Sequence, residues 1–382
     1  MQNYFYFKCP LSRKRDTHSH YQKKTIYMKN LYLAALTFMS IIVIGCGEQG
    51  QTEKQEEMQP KKLRALVIDG QNNHGVWPKT SVMMKSYFEE TGLFIVDLHR
   101  AKYLYQGPHH GTVDGINHDS ITKLVDLYRW EDYRVHTSTD TITPDASFNP
   151  QFNKYDVVIS NFGMDSSEWT DEVKSNFEQY MASGGGLVVV HAANNSFGDW
   201  EAYNKMIGVG GWGHRDLTKG KQIYYNENDE QVIAPVNGEE SSHGPEVEFL
   251  ITTRAPEHPI MKDLPAEWLH TKDELYDRLR GPAENVTVLA TAYSDVEGNA
   301  QPWAPENKGS GRSEPLLMTI NYKEGRVFHT ALGHMDYSME GVGFITTLQR
   351  GAEWAATGKV TQEAPKDFPT KKSAKMRSYN SL

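Results

Sequence analysis

A chain of 382 residues, 38% hydrophobic and 23% charged, has the composition of a soluble globular protein and the length for one large α/β domain. Its net charge of −9 supplies no basic field, which excludes nucleic acid as a partner. The two cysteines, Cys9 and Cys46, precede the folded part, which excludes disulfides and cysteine-ligated zinc there.

Residues 1–27 lack signal character, and Met28 reads as the natural start. Residues 28–45 have the pattern of a signal peptide: polar Met28-Lys29-Asn30, then a mostly apolar run from Leu31 to Ile44 that is too short to span a bilayer comfortably. The run ends in Val43-Ile44-Gly45-Cys46, which resembles a bacterial lipobox and implies lipidation of Cys46. Residues 46–62, rich in Gln, Glu and Lys, predict a flexible tether. Gly rather than Asp follows Cys46. The expected location is therefore the outer membrane, as a lipoprotein on the periplasmic side, with the cell surface as the alternative face.

The folded part is expected over residues 63–358. Leu63 to Asp69 predicts a buried strand. Pro78 opens a helix to about Glu90, and Leu93 to Leu98 is a second strand, closing a βαβ unit. Residues 99–150 have weak periodicity and predict a long insertion with a short helix near 119–130. Tyr155 to Ser160 is a third strand, and Thr170 caps a helix to Ala182. Leu187 to Val190 follows, an unalternated β-branched run of the kind buried on both faces of a sheet, ending at His191. Asp199 to Ile207 is a short helix. Gln222 to Tyr225 and Glu246 to Thr252 suggest an antiparallel extension. Val286 to Tyr293, Pro315 to Tyr322 and Arg326 to Leu332 are strands, the last two a hairpin turning at Lys323-Glu324-Gly325. Phe344 to Ala356 is a closing helix, and residues 359–382 form a polar, loose tail. The class is α/β: three layers around a mostly parallel sheet with an antiparallel extension.

In open α/β sheets ligands bind at the carboxyl ends of strands. The segments that reach that edge carry His74, Asn161, His191 with Asn194, and His329 with His334, a default site by convergence. Two further segments can close over it. Gly210-Gly-Trp-Gly-His-Arg215 offers His214 and the fork of Arg215, and Asp273-Glu-Leu-Tyr276 offers carboxylates for acid–base work. A metal held by His74, His191, His214 and His334 is the less favoured alternative, so no cofactor is expected. No Gly-x-Ser-x-Gly elbow or Walker motif is present.

These pieces resemble the ThuA-like (trehalose utilisation) family of the class I glutamine amidotransferase-like superfamily. The resemblance rests on Gly184 to Ala193, Glu257-His-Pro-Ile260 with Leu264-Pro265, Asp273 to Tyr276, Gly325 to His334 and Arg350-Gly-Ala-Glu-Trp354. It implies a flavodoxin-like sheet and places His191 at the elbow where amidotransferases keep a nucleophilic cysteine. With no cysteine there, thiolate amidotransfer is unavailable. The resemblance also implies sugar utilisation, notably of oxidised (3-keto) disaccharides. The expectation is a sugar-modifying enzyme with His191, His214 and Glu274 as catalytic groups. His74, Asn194, Arg215, Asp273, Tyr276 and His334 would bind substrate. The alternatives are a non-catalytic carbohydrate-binding lipoprotein and a metal-dependent hydrolase. The expected partners are a small-molecule carbohydrate and, through the lipid anchor, the outer membrane; a homodimer is left open.

Overall fold

Five apolar runs make the centre of the sheet. In the computed structural model, which describes residues 61–105, 118–129, 137–139, 142–164, 166–215, 220–236, 238 and 240–379, they are β1 (Leu63–Asp69), β2 (Phe94–Arg100), β5 (Val157–Asn161), β6 (Gly186–Val190) and β16 (Gly325–Thr330). They lie in the order β2-β1-β5-β6-β16, every pair parallel. β5 and β6 are buried at every residue, which explains why neither alternates. Cys46 of the expected lipobox, the expected signal peptide and the expected tether up to residue 60 lie outside the described residues.

Beyond β16 the direction reverses. β15 (Ser313–Tyr322), β14 (Val286–Tyr293), β10 (Val247–Thr253) and β11 (Glu267–Asp273) continue the sheet, each antiparallel to its neighbour. A side branch of β7 (Lys221–Tyr225), β8 (Gln231–Ala234) and β13 (Arg280–Gly281) joins at β15. The three-layer sheet with an antiparallel extension is thus present. The extension is larger than the sequence suggested, because β11 and β8 lack a clear alternation.

Helices cover both faces. α1 (Trp77–Glu90) and α6 (Val342–Thr357) share one face, where Gln349 Nε2 donates to Tyr87 O at 2.6 Å. α3 (Asp171–Ala182) and α4 (Glu201–Ile207) share the other, where Trp200 Nε1 donates to Glu178 Oε1 at 2.8 Å. Thr170 caps α3, with Asp171 and Glu172 in its first turn. Phe152, Phe162, Trp169, Phe177, Phe197 and Trp200 interlock against this face. Much of the aromatic content is therefore core.

The insertion after β2 holds β3 (Tyr103–Tyr105), α2 (His118–Leu127) and β4 (Thr137–Thr139), the two strands pairing in parallel. β9 (Ser242–His243) pairs with β12 (Tyr276–Asp277), and α5 (Asp336–Met339) precedes α6.

Two quoted motifs prove to be packing devices. Arg350 Nη2 donates to Pro259 O, and His258 packs on Trp354 with ring centres 5.1 Å apart. A Cβ at Gly351 would lie 2.1 Å from the Phe328 ring, so glycine lets α6 press on β16.

The tail corrects an expectation. Thr361 N and Gln362 Nε2 donate to the Glu353 carboxylate, Leu269 N to Thr370 O, and Val342 N to Lys375 O. Phe368 is buried against Trp268. Composition suggested looseness, but these polar residues find fixed partners on α6 and on the edge strand β11.

Candidate active site

The register of the parallel strands decides what meets at their carboxyl ends. Asp69 stands opposite Asn161, Ser160 opposite Val189, and Val190 opposite Thr330. The residues that follow therefore enter one crevice, beside the β1/β5 junction where the strand order changes direction.

After β1, buried Asp69 pairs with Arg100 at 2.7 Å and fixes the strand end. Asn72 Nδ2 donates to Phe162 O at 3.0 Å, and its Oδ1 accepts from His74 N at 2.9 Å. His74 is thereby turned into the crevice. After β6, His191 adopts φ +44° at the start of a 3-10 turn spanning His191–Asn195. A non-glycine residue held in that region is strained, and here the strain aims the ring over the sheet edge. Its Nδ1 donates to Ala331 O at 2.8 Å, so Nε2 is the atom offered to the crevice, 3.7 Å from Glu274 Oε2.

Glu274 is the centre of the group. Its Oε1 lies 3.2 Å from His243 Nδ1 and 3.3 Å from His334 Nε2. His334 Nδ1 in turn pairs with Glu246 at 2.6 Å. His334, with bonds from Tyr337 and Lys272 in support, holds the Glu246 carboxyl down at about 2. Burial lowers the pKa of His243, against the pull of Glu274. The Tyr276 ring lies 4.3 Å from the His191 ring, and its hydroxyl is 3.4 Å from His74 Nε2. Going outward, Trp212 packs on Tyr276 and His243, and Trp303, 64% exposed, packs on His243 at 5.0 Å. An aromatic wall thus runs from the buried cluster to solvent.

The structure brings His74, His191, Glu274, Tyr276 and His334 together. It turns four other expected site residues to different tasks. His214 is at the surface, its side chain 78% exposed, paired with Asp199 at 2.6 Å. In this glycine-rich loop Trp212, not His214, is the side chain that faces the cluster. Arg215 is buried, and its guanidinium donates to Asn204 Oδ1, Gly211 O and Ser196 O, so the fork clamps the loop rather than a ligand. Burial lowers its pKa to about 10. A Cβ at Gly210 would lie 2.2 Å from Asn194 O, which is why the loop can sit this close. Asn194 is buried and donates to His329 Nε2 at 3.1 Å. Asp273 accepts from His270 Nε2, Glu274 N, Gly333 N and His334 N. Burial alone would raise its pKa; these donors outweigh that and hold it at about 2. Asp273 is thus the anchor that locks two site loops together.

Sequence reasoning missed His243, Glu246 and His270. A His and a Glu flanking Gly244-Pro245 were the available signal for the first two; His270 carried none beyond its place three residues before Asp273. Among the described residues, one donor atom from each of His74, His191 and Glu274 falls within 4.8 Å of the others, close enough to share a cation. A larger open groove of about 890 Å³ lies at the opposite rim, by Asn153, Asn176 and Gln179, and holds no such cluster.

The sequence profile of ThuA, described as trehalose utilisation, matches residues 109–355. A ThuA-like protein of known structure from Parabacteroides merdae is 35% identical, with a TM-score of 0.66 over 83% of this chain and 98% of that one. A second ThuA-like protein, from Bacteroides uniformis, is 19% identical with a TM-score of 0.47, over 78% of this chain and 93% of the other. Among curated proteins nothing matches. With the profile covering more than half of its length, and a relative above 30% identity aligned over most of both chains, the protein belongs to the ThuA (trehalose utilisation) family.

Proposed function

We propose that this protein acts on an oxidised (keto) sugar or disaccharide by proton transfer, as a lipoprotein held through Cys46 on the periplasmic side of the outer membrane. The observation that carries the reading is one buried carboxylate, Glu274, within 3.7 Å of His191 and closer still to His243 and His334. A carboxylate within reach of several imidazoles can serve as an acid–base relay among them. The aromatic wall supports the substrate class, because the C–H faces of sugar rings stack on indole and phenol. The family's description supports it too.

The hydrogen beside the carbonyl of a keto-sugar is acidic. His191 Nε2, backed by Glu274, takes that proton. Tyr276 and His74, 3.4 Å apart, face the oxygen on which charge develops and stabilise it by hydrogen bonding. His334, oriented by Glu246, returns a proton to the enediolate, and Glu274, which lies beside both imidazoles, passes the proton from His191 back to His334, so the cycle closes. His191→Ala and Glu274→Gln should each lower turnover of a 3-keto-disaccharide by about 10²-fold or more. Unchanged turnover in both would end the reading. The exposed Trp303 favours a second reading, a carbohydrate carrier. Calorimetry that records glycan binding by the unmodified protein, with no product formed, would select it.

A further inference from the structure

The geometry around Glu274 has an asymmetry that a proton relay does not require. Its Oε1 lies toward His243 Nδ1 and His334 Nε2, at 3.2 and 3.3 Å. Its Oε2 faces His191 Nε2 at 3.7 Å, too long for a hydrogen bond. That spacing is close to the separation of about 3.3 Å between neighbouring ligands of a tetrahedral ion with bonds of about 2.0–2.2 Å. His191 is pinned through Nδ1 to the Ala331 carbonyl. Metal-bound histidines are oriented in this way, one ring nitrogen on a carbonyl or carboxylate and the other on the ion. The His74 ring stands 4.9 Å from that of His191, and all three side chains are buried. Their donor atoms span at most 4.8 Å, so rotations of about an ångström close the set onto an ion.

We propose that His74, His191 and Glu274 form a mononuclear site for a divalent transition-metal ion of the zinc type. Glu274 binds through Oε2 alone, with its other oxygen toward His243 and His334. Two imidazoles and a carboxylate suit zinc, and the absence of a thiolate disfavours copper(I). Three protein ligands leave a fourth position for water or a substrate oxygen, the arrangement of catalytic rather than structural sites. The buried carboxylate would then serve the ion first. His334, 3.3 Å from Glu274, would be the nearest remaining acid–base group.

The site draws on the same His191 and Glu274 as the sugar reading and, when occupied, makes His191 Nε2 a ligand rather than the base, so the test reads metal rather than turnover. The full chain, purified without a histidine tag, is loaded with zinc or cobalt(II), desalted and assayed for metal content. One ion per chain is expected, with visible cobalt absorption typical of four- or five-coordination. His74→Ala and Glu274→Gln should weaken binding by about 10–100-fold, while His214→Ala, at the surface, keeps the ion. No retained ion in the tag-free protein would overturn the proposal, as would equal retention in both cluster variants. Should those variants misfold by circular dichroism, X-ray absorption at the zinc edge of the unmodified protein decides. Two imidazoles with a carboxylate are expected, and a shell of oxygens alone refutes the site. Metal-loaded protein that is inert toward keto-sugars removes only the preceding reading, and tag-free protein that turns over keto-sugars yet retains no ion after loading removes only this one.

Discussion

Two consecutive carboxylates show how much one position decides. Asp273 collects four donors from two loops and the imidazole of His270, while Glu274, its neighbour, faces the histidines. Replacing Asp273 with Asn should cost about 2–3 kcal/mol, read from chemical denaturation at neutral pH. Its pKa is depressed in the fold, so its contribution is present above the unfolded value near 3.8 and is lost as pH falls through about 2. The buried imidazoles act earlier. Burial holds His329 and His258 at about 4, below their ordinary 6.5. Each stays neutral in the fold while the unfolded chain takes up a proton, so stability begins to fall below pH 6.5 and goes on falling toward 4. Melting temperatures measured from pH 7 to 2 should decline in those two stages. Asp273→Asn should flatten only the lower one. The sequence offered both carboxylates to the site, Glu274 as a catalytic group and Asp273 as a substrate ligand; that Asp273 turns to backbone donors instead is settled by loops 60 residues apart, as in the bond from Gly333 N to Asp273.

At the scale of elements, the parallel centre was legible because double-sided burial writes an unbroken apolar run, and the rule of strand ends then pointed to His74, His191 and His334. The glycine-rich loop was not, since nothing in a sequence tells which side of an irregular segment faces in. It turned Trp212 rather than His214 toward the cluster. His214→Ala should accordingly leave keto-sugar turnover unchanged, whereas Trp303→Ala should raise KM several-fold for a disaccharide with kcat nearly constant. The tail was misjudged for a different reason: its polar residues bond to the helix and strand they cross. It covers β11, whose backbone would otherwise offer donors to a second molecule. Phe368→Ala should cost about 3 kcal/mol in thermal melts and promote aggregation on heating.

For the molecule as a whole, the expected address is tested apart from the chemistry. No helix among the described residues is long and apolar enough to cross a membrane. In the proposed reading attachment rests on Cys46. Cys46→Ala expressed in a bacterial host should lose palmitate labelling and move from the membrane fraction to the soluble one. The cluster itself is assembled from remote stretches of chain. His74 meets Tyr276 across 202 residues, and His191 meets Ala331 across 140. A ribosome or secretion channel therefore delivers a polypeptide that stays chemically silent until nearly its last helix has emerged. The proposed chemistry becomes possible only on completion, in whichever compartment the finished chain folds.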